Sequence, residues 1–594
     1  MSKTKVMVLI SVAVLLVAVP LLGACTKEVV KEVPVERVVE KEVVKEVVKE
    51  VPVEKEVVKE VVKEVPVEKV VEKVVVKEVP VEKVVVKTVE KEVIVEGPKP
   101  KGELRVAISA IGSEVLDPIL ARSSDKWQMN LIYDPLVGNN PDMSLSKETG
   151  VAEDWEMSAD TMTWTFYIRK GIKFHNGDEL TAEDVKFSLE RMVGDKSITC
   201  WTAELQKIEK MEVPDPYTLV LHLKEPSPML DFNQSHVVGC GQGYIMPKSY
   251  IERVGDEYFG THPIGSGPYK IAEHVLGSYM AFEAQDRHWR AGVPQYHRIV
   301  LQAVPEEAAR IGMLKRGETD ATEITRRRAK ELEGAGFGIH RMDGATVVYL
   351  RYWVNGPGVE ETPMGNKKVR EALTMAIDRE AILNTIFGGF GNLTYATIPS
   401  AHIGFSQPEP IPYDPERAKQ LLAEAGYAEG FDLDFYNVSW GAVGESKELA
   451  EAVVGYWDRI GVKIKMIPID YSAYRPKWWE GELQNSVSWI ISSMAPWKIS
   501  TQRLLYHSER WTAGPNIPAL IDELEPLIEQ AEVALTQKER EELVGKINEF
   551  HREHHLEGPL LEIARVFAAS KEKITDWEFY GRMDMNLEYL FTGR

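Results

Sequence analysis

Residues 449–466 read LAEAVVGYWDRIGVKIKM. Leu449, Val453, Trp457 and Ile460 fall on one face of a helix, and Gly461 supplies a stop. Val462, Ile464 and Met466 then alternate with Lys463 and Lys465, the period of a strand with one buried face. A helix that turns through a glycine straight into a strand is the rhythm of α/β layers, and it sets the fold class expected for the chain.

The same grammar recurs on either side. Asp414-Pro415 reads as an N-cap with proline in the first helical position; Ala418, Leu421, Leu422 and Ala425 share a face, and Gly426 closes the helix. Leu104, Val106 and Ile108 alternate with Arg105 and Ala107 as a strand near the start of the body. At 594 residues the chain is too long for one core and calls for two or three packed units. A formal net charge of -21 repels phosphate backbones and argues against a nucleic-acid partner. The three cysteines, Cys25, Cys200 and Cys240, are too scattered for a zinc module.

The beginning of the chain sets the compartment. Lys3 and Lys5 precede an apolar run from Val6 to Leu22, followed by Gly23, Ala24 and Cys25. The run is short for a membrane span and ends in small residues, so a signal peptide is expected over residues 1–25. Leu22-Gly23-Ala24-Cys25 also resembles a bacterial lipobox, which implies cleavage before Cys25 and lipid attachment there. Several acyl chains anchor a protein stably where one does not.

Residues 26–101 are built almost wholly of Val, Lys and Glu. The unit Lys-Glu-Val-Pro-Val-Glu starts at Lys31, Lys49, Lys63 and Lys77. The last three starts are two heptads apart, as in a coiled coil. Pro34, Pro52, Pro66 and Pro80 interrupt any helix, and the stretch has nothing large enough to bury. It is expected to be a low-complexity spacer, extended or broken-helical, reaching on the order of 230 Å if fully extended.

Five further stretches, in order, carry a family resemblance. They are Ala152-Glu153-Asp154-Trp155 continuing through Phe174-His175-Asn176-Gly177 to Thr181-Ala182-Glu183-Asp184-Val185; Gly265-Ser266-Gly267-Pro268-Tyr269; Val369-Arg370-Glu371-Ala372-Leu373 with Ala376-Ile377-Asp378-Arg379; Tyr413-Asp414-Pro415 through Ala425-Gly426-Tyr427; and Trp457-Asp458-Arg459-Ile460-Gly461-Val462. Together they resemble the family 5 extracellular solute-binding proteins, the peptide and oligopeptide receptors of ABC importers. The resemblance implies a two-lobed, periplasmic-binding-protein-like α/β fold over 102–594, with a hinge and an accessory subdomain. Lobe I would use about 102–354 and 556–594, its accessory part about 150–260, and lobe II about 355–555, with Asn355-Gly356-Pro357-Gly358 as a crossing. A small solute, whether peptide, peptide-like or oligosaccharide, would be captured in the cleft and passed to ABC permease subunits. The lipid anchor would hold the protein to the membrane, in the periplasm or cell envelope. No cofactor is implied.

Within that resemblance the solute site falls on lobe II. Tyr436-Asn437-Val438-Ser439-Trp440 resembles a Tyr-Asn-x-Ser stretch of the peptide-binding relatives, and Tyr471 stands where they carry a cleft aromatic. Trp489 through Pro496 matches the run that carries their ammonium-clamping aspartate, but Ser492 occupies the aspartate's place. A neutral hydroxyl leaves a buried ammonium unpaired, at a cost of several kcal/mol. The expected ligand-binding residues are Asn437, Trp440, Tyr471, Trp489 and Ser492. Cys200 and Cys240 are expected to form a disulfide in an oxidising compartment, the alternative being two free thiols.

Rival classes are weaker. The sequence has no Walker loop, no GxSxG elbow and no HExxH, so an enzyme is not expected. A stalked adhesin or a ligand sensor without transport would share the spacer but not need a permease. His551, His554 and His555 offer an i, i+4 pair, as metal ligands do, yet they close a charged helix, and a solvated helix end without metal is expected.

Overall fold

The computed structural model describes residues 42–46, 87–91, 99–141, 144–199, 202–235, 243–290, 292–354, 358–400, 405, 407–439, 443–492, 518–577, 579, 587 and 590–592. Two units separate, Met1–Gly97 and Pro98–Arg594. In the first, strands Glu42–Glu46 and Lys87–Lys91 pair antiparallel. The second unit begins a few residues before the expected boundary at 101, because Lys101 N–H already donates to Gln295 O at 3.1 Å.

In the second unit, β1 is Glu103–Ile108 and α1 is Lys126–Ile132. A four-stranded antiparallel sheet follows, β2 (Ala152–Met157), β3 (Thr163–Ile168), β4 (Ile208–Asp215) and β5 (Thr218–Leu223), in the order β2-β3-β5-β4. Helix α2 (Ala182–Val193) packs on it. The large sheet then takes β6 (Tyr269–Val275), β7 (Tyr279–Ala284), β8 (Arg298–Ala303) and β9 (Ala321–Ile324). Helix α3 (Arg326–Gly334) leads into β10 (Gly338–Tyr352), and β11 (Gly391–Leu393) and α4 (Pro415–Glu424) follow. The last part has β12 (Phe431–Ser439), α5 (Ser446–Asp458), β13 (Val462–Asp470), α6 (Tyr471–Trp479), β14 (Ser486–Ser492), α7 (Gln537–Glu553) and β15 (Glu557–Ala569). The order is β6-β7-β8-β1-β9-β15-β10-β14-β12-β13, with β11 beside β15.

The elements form for the reasons the pattern gives. In α5, Leu449, Val453 and Trp457 are buried, and the Trp457 indole donates to Leu373 O at 2.8 Å. Gly461 sits at φ +87°, a left-handed conformation that only glycine adopts freely, and β13 starts at the next residue. In α4 the Asp414 carboxylate caps Arg417 N–H at 2.8 Å, with Pro415 in the first turn.

Two long strands, β10 and β15, pair antiparallel and join two hydrophobic cores. One core gathers Leu104, Val106, Phe166, Leu221, Leu301 and Phe567, so the accessory sheet and the first lobe share it. The other gathers Val347, Leu373, Leu421, Phe435, Trp457, Trp489 and Ile563. Strand β15 gives Phe567 to the first core and Ile563 to the second, so the change-over falls inside the ribbon. Of the stretch 355–358, residues 355–357 lie outside the described residues.

One side-chain expectation is revised. The helix end at 551–555 is not uniformly solvated: His551 is 4% exposed, with Nδ1 3.3 Å from Glu557 Oε2. The helix ends at Glu553 and His555 turns to φ +46°, which breaks the helical spacing between His551 and His555. His554 instead packs on the Phe550 ring, centroids 4.3 Å apart. Gly265 and Gly267 press on the end of α1: a Cβ on Gly265 would fall 1.9 Å from Ile132 O. These glycines serve backbone packing.

Candidate solute site

The strand directions mark a candidate site. β1 runs parallel to β8 and β9, and β12 runs parallel to β13 and β14. The carboxyl end of β9 stops with Ile324 opposite Val566 of β15. The carboxyl end of β14 stops with Ser492 opposite Val347 of β10, which faces Glu562 of β15. Glu562 and Val566 are four residues apart, roughly 13 Å along a strand. Both sets of parallel strands thus point their carboxyl ends at the same middle stretch of the ribbon. Open α/β sheets bind ligands outside such ends.

On the second lobe, the described residues expected at the site fall at this edge. Asn437 lies near the end of β12, Tyr471 directly follows β13 and opens α6, and Ser492 ends β14. Tyr471 is 39% exposed. Trp489 is on the same segment but 1% exposed, and its indole N–H donates to Asn437 Oδ1 at 2.7 Å. It thus orients Asn437 from within the core and offers no open stacking face. Beneath β14, Trp353 and Tyr474 both hydrogen-bond Ser488 Oγ, at 2.9 and 2.7 Å. Trp440, Cys25, Cys200 and Cys240 lie outside the described residues.

On the first lobe, near the same stretch, stand groups that sequence reasoning did not single out. Glu323, near the end of β9, is bonded by Arg565 Nε at 3.0 Å and by Ser109 Oγ at 3.4 Å. Arg565 stands on β15 within the middle stretch and lies over the Trp127 ring, 4.8 Å from its centroid. A second pair, Arg326 and Glu445, joins the first turns of α3 and α5 at 2.7 Å. The run Arg326-Arg327-Arg328 at the start of a helix was the available signal, since cations are disfavoured there.

One buried cluster beneath α1 is structural. Asp134 is fully buried and meets His288 Nε2 at 3.3 Å, Arg290 Nη2 at 3.1 Å and the Trp289 indole at 2.8 Å. Burial opposes its charge, but His288, Arg290 and the indole outweigh that and hold its carboxyl at about 2. Burial also lowers His288, so Arg290 is the partner that stays charged at neutral pH. His175 is held down to about 4 by burial and bonds Gly267 O at 3.0 Å, so it acts as a neutral structural group. Among the described residues no group of three or more His, Cys, Asp or Glu side chains gathers as a metal site, and no helix is long and apolar enough to cross a membrane.

Comparison with known proteins gives the following. The model for bacterial extracellular solute-binding proteins, family 5 Middle, matches residues 148–512. Heme-binding protein A of Haemophilus influenzae is 28% identical over 57% of this chain and 64% of its own length. The dipeptide-binding protein of Escherichia coli is 27% identical over 56% of this chain and 66% of its own length. The chain thus spans a little under two thirds of these two relatives. Among solved structures, the ABC transporter-associated periplasmic binding protein DppA from Helicobacter pylori, in complex with peptide STSA, superimposes with a TM-score of 0.67 at 22% identity. That match covers 84% of this chain and 99% of the other.

Proposed function

Because the chain belongs to the bacterial extracellular solute-binding proteins of family 5, we propose that it captures a small solute between its lobes and hands it to the permease of an ABC importer. The observation that carries this is the convergence of both lobes' strand ends on the middle of the β10–β15 ribbon, with Asn437 and the exposed Tyr471 on that edge. Relatives named for heme and for dipeptides span different ligands, so the solute class rests on this chain's own residues. Ser492 supplies no negative charge to pair with a free ammonium. We therefore favour a peptide-like solute whose amine is blocked or absent, ahead of an oligosaccharide. The role is capture and not turnover.

In the same reading, the signal segment exports the chain, Cys25 carries the lipid and residues 26–97 hold the body away from the membrane. Cys200 and Cys240 pair in that oxidising space. A thermal-shift screen of the full chain against free peptides, N-acylated peptides and oligosaccharides tests the solute class, since a ligand that binds only the folded state raises its melting temperature. N-acylated peptides should shift it most. A shift confined to free-amine peptides would overturn the class, and a shift with oligosaccharides alone would replace it.

A further inference from the structure

Helix α3 opens with Arg326, Arg327 and Arg328, three cations at the positive end of a helix dipole, where charge of that sign is disfavoured. The compensation comes from the other lobe. Arg326 N–H donates to Glu445 Oε1 at 3.1 Å and Arg326 Nη1 to Glu445 Oε2 at 2.7 Å, while Arg326 Nε donates to Ala564 O on the ribbon at 2.6 Å. Both side chains are nearly fully buried, 5% and 1% exposed. A second, exposed pair lies beside them, Arg327 Nη1 to Glu448 Oε1 at 3.3 Å.

The two ends of this bridge belong to different cores. Arg326 leads a helix whose Ala329 and Leu332 pack with Ile324 and Val566. Glu445 precedes α5, whose Leu449 and Val453 sit in the second core. Arg326 follows the carboxyl end of β9, and Glu445 lies in the connection after β12, so both stand at the strand ends that define the cleft. An acid suits the start of α5, whereas arginines do not suit the start of α3; with the two helix starts apposed, Glu445 offsets the charge of Arg326 as well as the dipole of its own helix.

We propose that Arg326 and Glu445 form a latch across the solute cleft, holding the β9–α3 turn of one lobe against the β12–α5 connection of the other. The cleft assignment is that of the proposed function, but the latch needs no solute to be detected. When the lobes part, the two charges separate and each must be hydrated alone; while they touch, each neutralises the other in a dry site. Loss of the latch therefore shifts the lobes towards an open arrangement.

A built-in ruler tests this. A Cβ on Gly444 would lie 3.0 Å from Thr325 Cγ2, within reach of a disulfide after small adjustment. In the full chain carrying Thr325→Cys and Gly444→Cys, the rate of disulfide formation in a fixed excess of oxidised glutathione, which is reduced to two thiols as the bond forms, is read by mass spectrometry of the cross-linked peptide and reports how often the turns meet. The bond should form readily, and Glu445→Gln should slow it by about tenfold or more. The doubly neutral Arg326→Gln/Glu445→Gln background leaves no lone buried charge, serves if the single variant does not fold, and should also slow it. An unchanged rate in a folded neutral variant, or no cross-link with the pair intact, would overturn the latch. Either result leaves solute binding to be judged by the thermal-shift screen, which does not depend on the latch.

Discussion

The indole N–H of Trp489 donates to the side-chain oxygen of Asn437 across the parallel strands β14 and β12, at 2.7 Å. The bond places a buried donor behind a residue at the strand-end edge, so the two positions should respond differently to substitution. Trp489→Ala empties a core site and should cost about 3–5 kcal/mol of stability. Asn437→Ala leaves the indole without this acceptor and should cost about 1–3 kcal/mol. Denaturant unfolding checks both, and equal small losses would show that Trp489 is not a core residue.

Tyr471 should behave in the opposite way. It is 39% exposed at the end of β13, so Tyr471→Ala should change stability by less than about 0.5 kcal/mol. The same substitution should weaken solute binding by about 1–3 kcal/mol, as expected for an aromatic anchor. Calorimetric titration of the wild type and the variant with the solute found by the thermal-shift screen separates these effects.

Acid should weaken the fold through Asp134. Its carboxyl is held at about 2 in the folded chain, against about 4 when unfolded. A depressed carboxylate contributes stability that is fully present above pH 4 and is lost as pH falls from about 4 towards 2. The contribution is about 2–3 kcal/mol. Asp134→Ala should cost about 3–5 kcal/mol at neutral pH, since it strips the pairing from buried Arg290. Unfolding free energies measured at pH 7 and pH 3 for both proteins check the sign.

The repeat-rich segment should be dispensable for the body. Met1–Gly97 and Pro98–Arg594 are separate units, and the body's first bond from Lys101 lies within itself. Deleting residues 26–97 should leave the melting temperature and the solute affinity unchanged. A loss of either would show that the segment folds onto the body.

Local rules carried the fold a long way. The 449–466 pattern becomes α5, Gly461 and β13 because all its signals lie within a few residues of one another. Asn437, Tyr471 and Ser492 reach one edge because they end, or directly follow, three parallel strands. Trp489 was harder to read, because serines alternate with Val487, Trp489 and Ile491 along β14, yet Ser486 and Ser488 are as buried as Trp489, so the alternation marks no wet face. The Arg326–Glu445 and Arg565–Glu323 pairs join residues 119 and 242 positions apart, a relation that periodicity does not encode. The helix end at 551–555, expected to be solvated, differs because His551 turns into the core against Glu557, a partner six residues on that lies beyond the helix.

Capture of a solute between the lobes is most directly tested by isothermal titration of the full chain with the solute that most raises its melting temperature. Saturable binding of one solute per chain, weakened by Tyr471→Ala while the variant melts as the wild type does, is the predicted result. Binding that Tyr471→Ala and Asn437→Ala both leave untouched, or heats that never saturate, would contradict a site at the meeting of the strand ends.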